Sequence, residues 1–275
     1  MPPLPFSARL AAAVADAGSV LCVGLDPDLL RLPRGVSRDA AGITTFCNAI
    51  TDSTWGLAAA FKPNLAFFEA LGPGGARALA DVCAHVRASG RLLILDGKRG
   101  DIGNTGRLYA AAQFSPPPLG LDGDAATVAP YMGADSLAPF LDGDLCAGRC
   151  AFVLVATSNP GADDVQALPV GGEPLYRHVA RMAVRAADGM SSEVGFVVGA
   201  TRPEILATLR AEHPGVPFLV PGVGAQGGSA EAVMAANAGG PLLVNAGRSV
   251  LYASSGPDFA AAAGRAAIDA ARALR

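Results

Sequence analysis

Asp96-Gly-Lys98-Arg-Gly-Asp101 follows directly on the apolar run Leu92-Leu-Ile-Leu95. An apolar run of this length, set between Gly90 and Gly97, reads as a buried strand. Side chains alternate faces along a strand, so Asp96 and Lys98 are expected to point the same way. Burying either charge alone would carry a large desolvation cost. Together they neutralise each other, and Asp101 can add a second carboxylate. Two readings are open on these residues: a preorganised charge site, or a structural ion pair capping a strand end.

Other polar residues sharpen the choice. Asp26 follows the apolar residues 20–25, and Lys62 follows residues 57–61. Asp26, Lys62, Asp96, Lys98 and Asp101 make three carboxylates and two ammoniums. Lys98 among carboxylates stays protonated, because nearby negative charge favours its charged form. That suits a general acid rather than a Schiff-base nucleophile, which needs a depressed pKa. Carboxylates could also bind Mg²⁺, but the two lysines already supply compensating positive charge. Gly222-Val-Gly-Ala-Gln226-Gly-Gly formally contains G-x-G-x-x-G. A dinucleotide fingerprint belongs after the first strand of a βαβ unit, whereas this one follows the seventh apolar run. A loop that cradles a phosphate fits better, with backbone N–H groups and a following helix facing an anion. Arg248, just after Gly247, can add a charge-assisted contact. The alternative is a glycine-rich turn beside a surface arginine. Ser158-Asn-Pro-Gly161 lacks the Gly-x-Ser-x-Gly setting of a nucleophile and is better suited to hydrogen bonding a ligand's amide-like edge. It opens a long polar connection to about Pro174, the kind of segment that serves as a lid.

The elements that must position these residues repeat by pattern. Short apolar runs recur at 20–25, 57–61, 92–95, 126–129, 151–156, 194–198, 216–220 and 242–245. Helical spacing fills 38–51, 75–88, 175–187, 203–212 and 230–238. A helix over 7–17 precedes the first strand, and one over 257–274 follows the last. Alternating strands and helices imply parallel pairing through right-handed crossovers. Eight units predict an α/β fold, a single-domain (β/α)8 TIM barrel over 1–275, with residues 115–124 as a surface insertion after the third helix. Active sites of this fold lie at the C-terminal strand ends, with phosphate sites commonly in the loops after strands seven and eight. Asp26, Lys62, the 96–101 cluster, Ser158, the 222–228 glycines and Arg248 all fall at such ends.

Composition bounds the partners. The chain of 275 residues is 51% hydrophobic and 16% charged, with a formal net charge of -3. Without a run of Lys and Arg, nucleic acid is not an expected partner. The first residues lack the basic and apolar regions of a signal peptide, and no apolar stretch is long enough to span a bilayer. A soluble cytoplasmic protein is expected. Five cysteines form no CxxC pair and read as reduced, buried or incidental thiols. The three histidines are scattered in helical segments, which suits surface or interface positions better than metal ligation.

The motifs in their order closely resemble the orotidine 5'-phosphate decarboxylase family, nearly end to end. The matching residues are Gly24-Leu-Asp26, Phe61-Lys62, Asp96-x-Lys98-x-x-Asp101-Ile102-x-x-Thr105, Ser158-Asn-Pro-Gly161, Gly222-Val-Gly-Ala-Gln226-Gly-Gly and Gly247-Arg248-Ser249. Lys62-Pro63-Asn64 and the length resemble the family's longer bacterial branch, and no role for Asn64 carries over. The resemblance implies cofactor-free conversion of orotidine 5'-phosphate to UMP in pyrimidine biosynthesis. It implies a network of Lys62, Asp96, Lys98 and Asp101, with Lys98 protonating C6 and Asp96 beside the substrate carboxylate. Asp26 and Lys62 would hold ribose hydroxyls, Ser158 the pyrimidine edge, and Gln226, Arg248 and nearby backbone such as Gly247 the phosphate. It also implies a homodimer in which Asp101, Ile102 and Thr105 reach into the partner's site. Two alternatives stand beside it. One is a metal-dependent sugar-phosphate lyase or decarboxylase on the same barrel, which tends to carry Glu as a Mg²⁺ ligand where Lys62 stands. The other is a non-catalytic phosphoribosyl-binding protein, which has no need of Asp96 and Lys98.

Overall fold

The computed structural model describes residues 3–224 and 227–275. Eight parallel strands close into a barrel: β1 (Leu21–Leu25), β2 (Ala60–Pro63), β3 (Leu92–Arg99), β4 (Ala125–Val128), β5 (Cys150–Ala156), β6 (Glu193–Val198), β7 (Phe218–Pro221) and β8 (Leu242–Ala246). Each strand pairs with its neighbours in sequence, and β8 pairs with β1 to close the ring. The predicted eight-stranded barrel is therefore the observed fold. Among the described residues the helices are α1 (Phe6–Ala17), α2 (Ala40–Thr54), α3 (Leu65–Glu69), α4 (Gly72–Ala88), α5 (Gly103–Phe114), α6 (Leu175–Ala186), α7 (Pro203–Glu212), α8 (Ala230–Asn237), α9 (Arg248–Leu251) and α10 (Phe259–Ala273).

The strand period of two builds two cores. Val23, Phe61, Leu93, Leu95, Val153, Phe196, Val220 and Val244 face outward under the helices. Cys22, Ala60, Ile94, Phe152, Val197, Leu219 and Leu243 face the barrel interior. Helix α1 joins that inner core through Phe6 and Leu10, and the Phe6 ring meets Phe152 edge-on at 5.7 Å. Large residues thus fill the barrel below and leave its C-terminal end for polar side chains.

The structure corrects several boundaries. Strand β2 begins at Ala60 rather than 57, because the N–H groups of Leu57 and Ala58 both return to the Thr54 carbonyl and finish the turn after α2. Strand β3 continues through the charged residues to Arg99. Between β4 and β5 the chain makes three short 3₁₀ turns (Ala134–Ser136, Ala138–Phe140 and Asp144–Cys146) in place of an α-helix. Residues 115–124 fold back on the end of α5, where Leu121, Asp122 and Gly123 donate to the Ala112, Ser115 and Gln113 carbonyls. Asp122 then pairs with Arg87 and Arg149 at 2.6 and 2.8 Å. This segment leads into the start of β4, at the end of the barrel opposite the cavity described below. All five cysteines are buried free thiols.

That lower end is tied together by Arg210, a buried arginine near the end of α7. Its guanidinium donates to Asn237 Oδ1 on α8 and to the carbonyls of His213, Pro214, Val216 and Pro241. Its carbon lies 3.8 Å from the centre of the Phe218 ring. Burial lowers its pKa to about 10, so it remains charged at neutral pH. Arg210→Ala leaves a void and several orphaned carbonyls. Urea unfolding should show a loss of about 3 kcal/mol. A loss below about 1 kcal/mol would mean that the carbonyls find other partners.

Candidate active site

The same alternation that places Cys22, Ala60, Ile94 and Leu243 in the interior places Asp26, Lys62, Asp96, Thr127 and Asn245 one layer above them. These residues line a cavity of about 420 Å³ at the C-terminal strand ends, together with Lys98, Ser158, Gly222, Gly247 and Arg248. Gly24 lets β1 and β8 fit this layer. A Cβ there would stand 2.9 Å from Asn245 Oδ1, so the missing side chain makes room for the asparagine.

The charges form a chain. Lys62 Nζ donates to Asp96 Oδ2 at 2.5 Å, and Lys98 Nζ donates to Asp96 Oδ1 at 2.6 Å. Asp96 Oδ1 accepts a further bond from Thr127 Oγ1 at 2.9 Å. The Lys62 and Asp96 side chains are 5% and 9% exposed, whereas Lys98 is 50% exposed and faces the cavity. Burial opposes the charge on Asp96, but Lys62 and Lys98 outweigh it and hold the carboxyl well below the usual range. Burial likewise opposes the charge on Lys62, and Asp96 with Asp26 keeps that ammonium above its ordinary value. Asp26 differs: burial pushes its pKa up, with Lys62 pulling the other way and Asp96 adding to the rise. Its Oδ1 is buried without a hydrogen-bond partner, so one acceptor remains for a ligand donor. Tyr252 fixes the turn that carries Asp26. Its hydroxyl accepts from the Asp28 N–H and donates to the Asp26 carbonyl, while Arg31 stacks on its ring at 3.9 Å.

At the far side of the cavity, Gly222, Gly224 and Gly227 have φ of 101°, 74° and 89°, a region that favours glycine. Gly224 donates to the Gly228 carbonyl, and Gly228 to that of Gly222, which draws this loop tight. Gln226 lies outside the described residues. Arg248 opens α9 and is exposed at the cavity wall. The segment after β5 begins at Thr157, whose N–H and hydroxyl are both engaged by the Gln166 side chain. Its middle is tied to the start of α7 by an Asp163–Arg202 pair at 2.6 Å, and it ends in a two-residue hairpin, Pro169–Val170 with Glu173–Pro174.

Three residues expected at the site stand apart from this chain's cavity. Asp101 is partly exposed and accepts from the Ile102 N–H; Ile102 is 52% exposed, and Thr105 is on an exposed part of α5. Asn64 lines the cavity, and its side chain caps α3 by accepting from the Ala66 N–H. Sequence reasoning missed Thr127 and Asn245. Each is a polar residue on the inward phase of an otherwise apolar strand, which is the signal that could have marked them. Among the described residues no three His, Cys, Asp or Glu side chains are grouped to hold a metal ion.

Fold and site place the protein among the (β/α)8-barrel enzymes that work at the C-terminal ends of their strands. The chain belongs to the orotidine 5'-phosphate decarboxylase / HUMPS family, whose model matches residues 19–263. The orotidine 5'-phosphate decarboxylase of Herpetosiphon aurantiacus is 48% identical over 263 residues, covering 95% of each chain. That of Roseiflexus castenholzii is 50% identical over 253 residues, covering 90% of this chain and 89% of the relative. Among solved structures, the Leishmania donovani OMP decarboxylase superposes with a TM-score of 0.82 at 36% identity, over 98% of this chain and 97% of that one.

The depressed Asp96 pKa has a definite consequence for stability. A carboxyl whose folded pKa lies below its unfolded value of about 3.9 stabilises the fold above that value and loses the contribution as pH falls through it. Between about pH 5 and pH 2 the wild type should therefore lose stability more steeply than Asp96→Asn, measured as urea midpoints. Parallel curves would show that the lysines do not hold this carboxyl down.

Proposed function

We propose that the protein decarboxylates orotidine 5'-phosphate to UMP in pyrimidine biosynthesis, without a metal or organic cofactor. The observation that carries this reading is Lys98, half-exposed in the cavity and held by a buried Asp96 that Lys62 backs from the other side. In the reaction the bond between C6 and the carboxylate breaks, carbon dioxide leaves, and the electron pair stays on C6. A fixed ammonium beside C6 stabilises that developing charge and then supplies the proton. Asp96 tethers the Lys98 ammonium at 2.6 Å and stands beside the departing carboxylate.

The remaining residues bind the nucleotide. Asp26, with its unpartnered Oδ1, and Lys62 take the ribose hydroxyls. Ser158 reads the pyrimidine edge. Gln226, Arg248 and the backbone around Gly222 and Gly247 grip the phosphate. Because the phosphate is remote from C6, its binding energy can drive closure and exclusion of water. Asp101, Ile102 and Thr105, which stand apart from this chain's own cavity, complete the site of a second copy in a homodimer with shared active sites. The exposure of Ile102, Leu108 and Tyr131 supports such a contact, since a second copy would cover them. The enzyme acts in the cytoplasm on a soluble nucleotide. No helix among the described residues is long and apolar enough to cross a membrane.

Orotidine 5'-phosphate mixed with purified protein and EDTA should show the absorbance change of conversion to UMP. Activity lost in EDTA and restored by Mg²⁺ would point instead to a metal-dependent relative. UMP binding without turnover would point to a binding protein. Lys98→Ala should lower turnover by about 1000-fold or more while still binding UMP; retained turnover would remove Lys98 as proton donor. Arg248→Ala should weaken UMP by about 10- to 100-fold, the worth of a charge-assisted hydrogen bond. An equal loss of affinity for uridine would contradict a phosphate role.

A further inference from the structure

The register of β3 against β4 breaks within the charged cluster. Leu95 pairs with Ala126 and Arg99 with Val128. Between these pairs, Asp96, Gly97 and Lys98 stand opposite Thr127 alone. A bulge of this kind re-aims side chains and leaves backbone groups without their ladder partners. Lys98 carries the mark of it, with a φ of 47°, rare for a residue with a side chain. Its N–H donates to a side chain, Thr127 Oγ1, at 2.9 Å. The same hydroxyl donates its own proton to Asp96 Oδ1 at 2.9 Å, the oxygen that also receives Lys98 Nζ. One buried hydroxyl therefore closes a ring through the main chain of Lys98, its ammonium and the carboxylate.

We propose that Thr127 is a positioning residue for this reaction: its hydroxyl holds the bulge in the conformation that aims Lys98 at the substrate and fixes the Asp96 oxygen to which that ammonium is tethered. The inference rests on the decarboxylase reading. A hydroxyl is required because the position must accept from one group and donate to another. Valine has nearly the same shape and can do neither. Thr127 makes no ionic contribution of its own, and its effect reaches the reacting carbon through Lys98 and the Asp96 carboxylate. A displacement of the proton donor by about 1 Å can lower a rate about 100-fold. Loss of the hydroxyl should thus act on the chemical step more than on nucleotide binding.

The test compares wild type, Thr127→Val, Thr127→Ala and Thr127→Ser by steady-state turnover and by UMP affinity. The valine and alanine variants should lose roughly 10- to 100-fold in kcat, with UMP affinity changed less than about threefold. Serine, which keeps the hydroxyl, should restore most of the turnover. Alanine carries the same test should the valine variant fail to fold. A Thr127→Val kcat within about threefold of wild type overturns the proposal, and so does a serine variant as impaired as the valine one. A merely structural role would lower stability in all three without separating kcat from UMP affinity. Wild type inactive on orotidine 5'-phosphate would instead sink the functional reading. A crystal structure of Thr127→Val then still decides the positioning: an unchanged Lys98 φ and an intact Lys98–Asp96 contact would overturn it.

Discussion

Asp96 is surrounded by donors. Lys62 takes one carboxylate oxygen, and Lys98 and Thr127 share the other. Such a cluster is costly to assemble, since each buried charge gives up several kcal/mol of hydration. The cost is offset only when geometry and charge balance are nearly complete, and removing one member of a buried pair typically costs about 3–5 kcal/mol. The barrel supplies that geometry. Three adjacent strands, β2, β3 and β4, each present one inward residue to the same layer, and the apolar layer below holds them level.

The arrangement divides its two lysines by exposure. Lys62 lines the cavity but is nearly buried, and its ammonium backs Asp96. Lys98 keeps one face open to the cavity and the other against the carboxylate. A proton donor needs this combination of charge held by a fixed neighbour and access to the reacting atom. The opposite wall has a different character. Gly222 there has a positive φ, and Arg248 supplies the one exposed guanidinium among the cavity-lining residues described. The charged cluster and the glycine-rich wall with Arg248 thus sit on opposite sides of one opening, which suits the proposed ligand with its reacting ring and distant phosphate.

Evolution of function on this fold works through strand ends because the barrel itself is indifferent to them. The two cores are built from Val, Leu, Ile, Phe and Ala with α1 closing the bottom, and Arg210 clamps the lower loops. Neither depends on what stands at the upper rim. Gly24 is the exception. Its missing side chain is a rim requirement written into a core strand, since Asn245 occupies the space a Cβ would need.

Much of this was legible in the sequence because it follows from period and order. The alternation of apolar runs with helical stretches determined the eight-stranded barrel. The position of each polar residue just after an apolar run placed Asp26, Lys62, Asp96, Lys98, Ser158 and Arg248 at one end of it, where all six line the cavity. Tertiary structure decided what local pattern cannot encode. Simple alternation leads to the expectation that Asp96 and Lys98 share a side. The bulge between them sets where Lys98 points, and it is not local, because register depends on what the neighbouring strand offers. Thr127 is 29 residues from Lys98 and reads in sequence as an ordinary strand residue. Only pairing of β3 with β4 brings its hydroxyl between the two charges. Asn245 became visible for the same reason, once closure of the barrel set β8 beside β1. Asp101, Ile102 and Thr105 mark the opposite limit: they lie beyond the strand that fixes Asp96 and Lys98, and one chain's packing does not bring them to its own cavity.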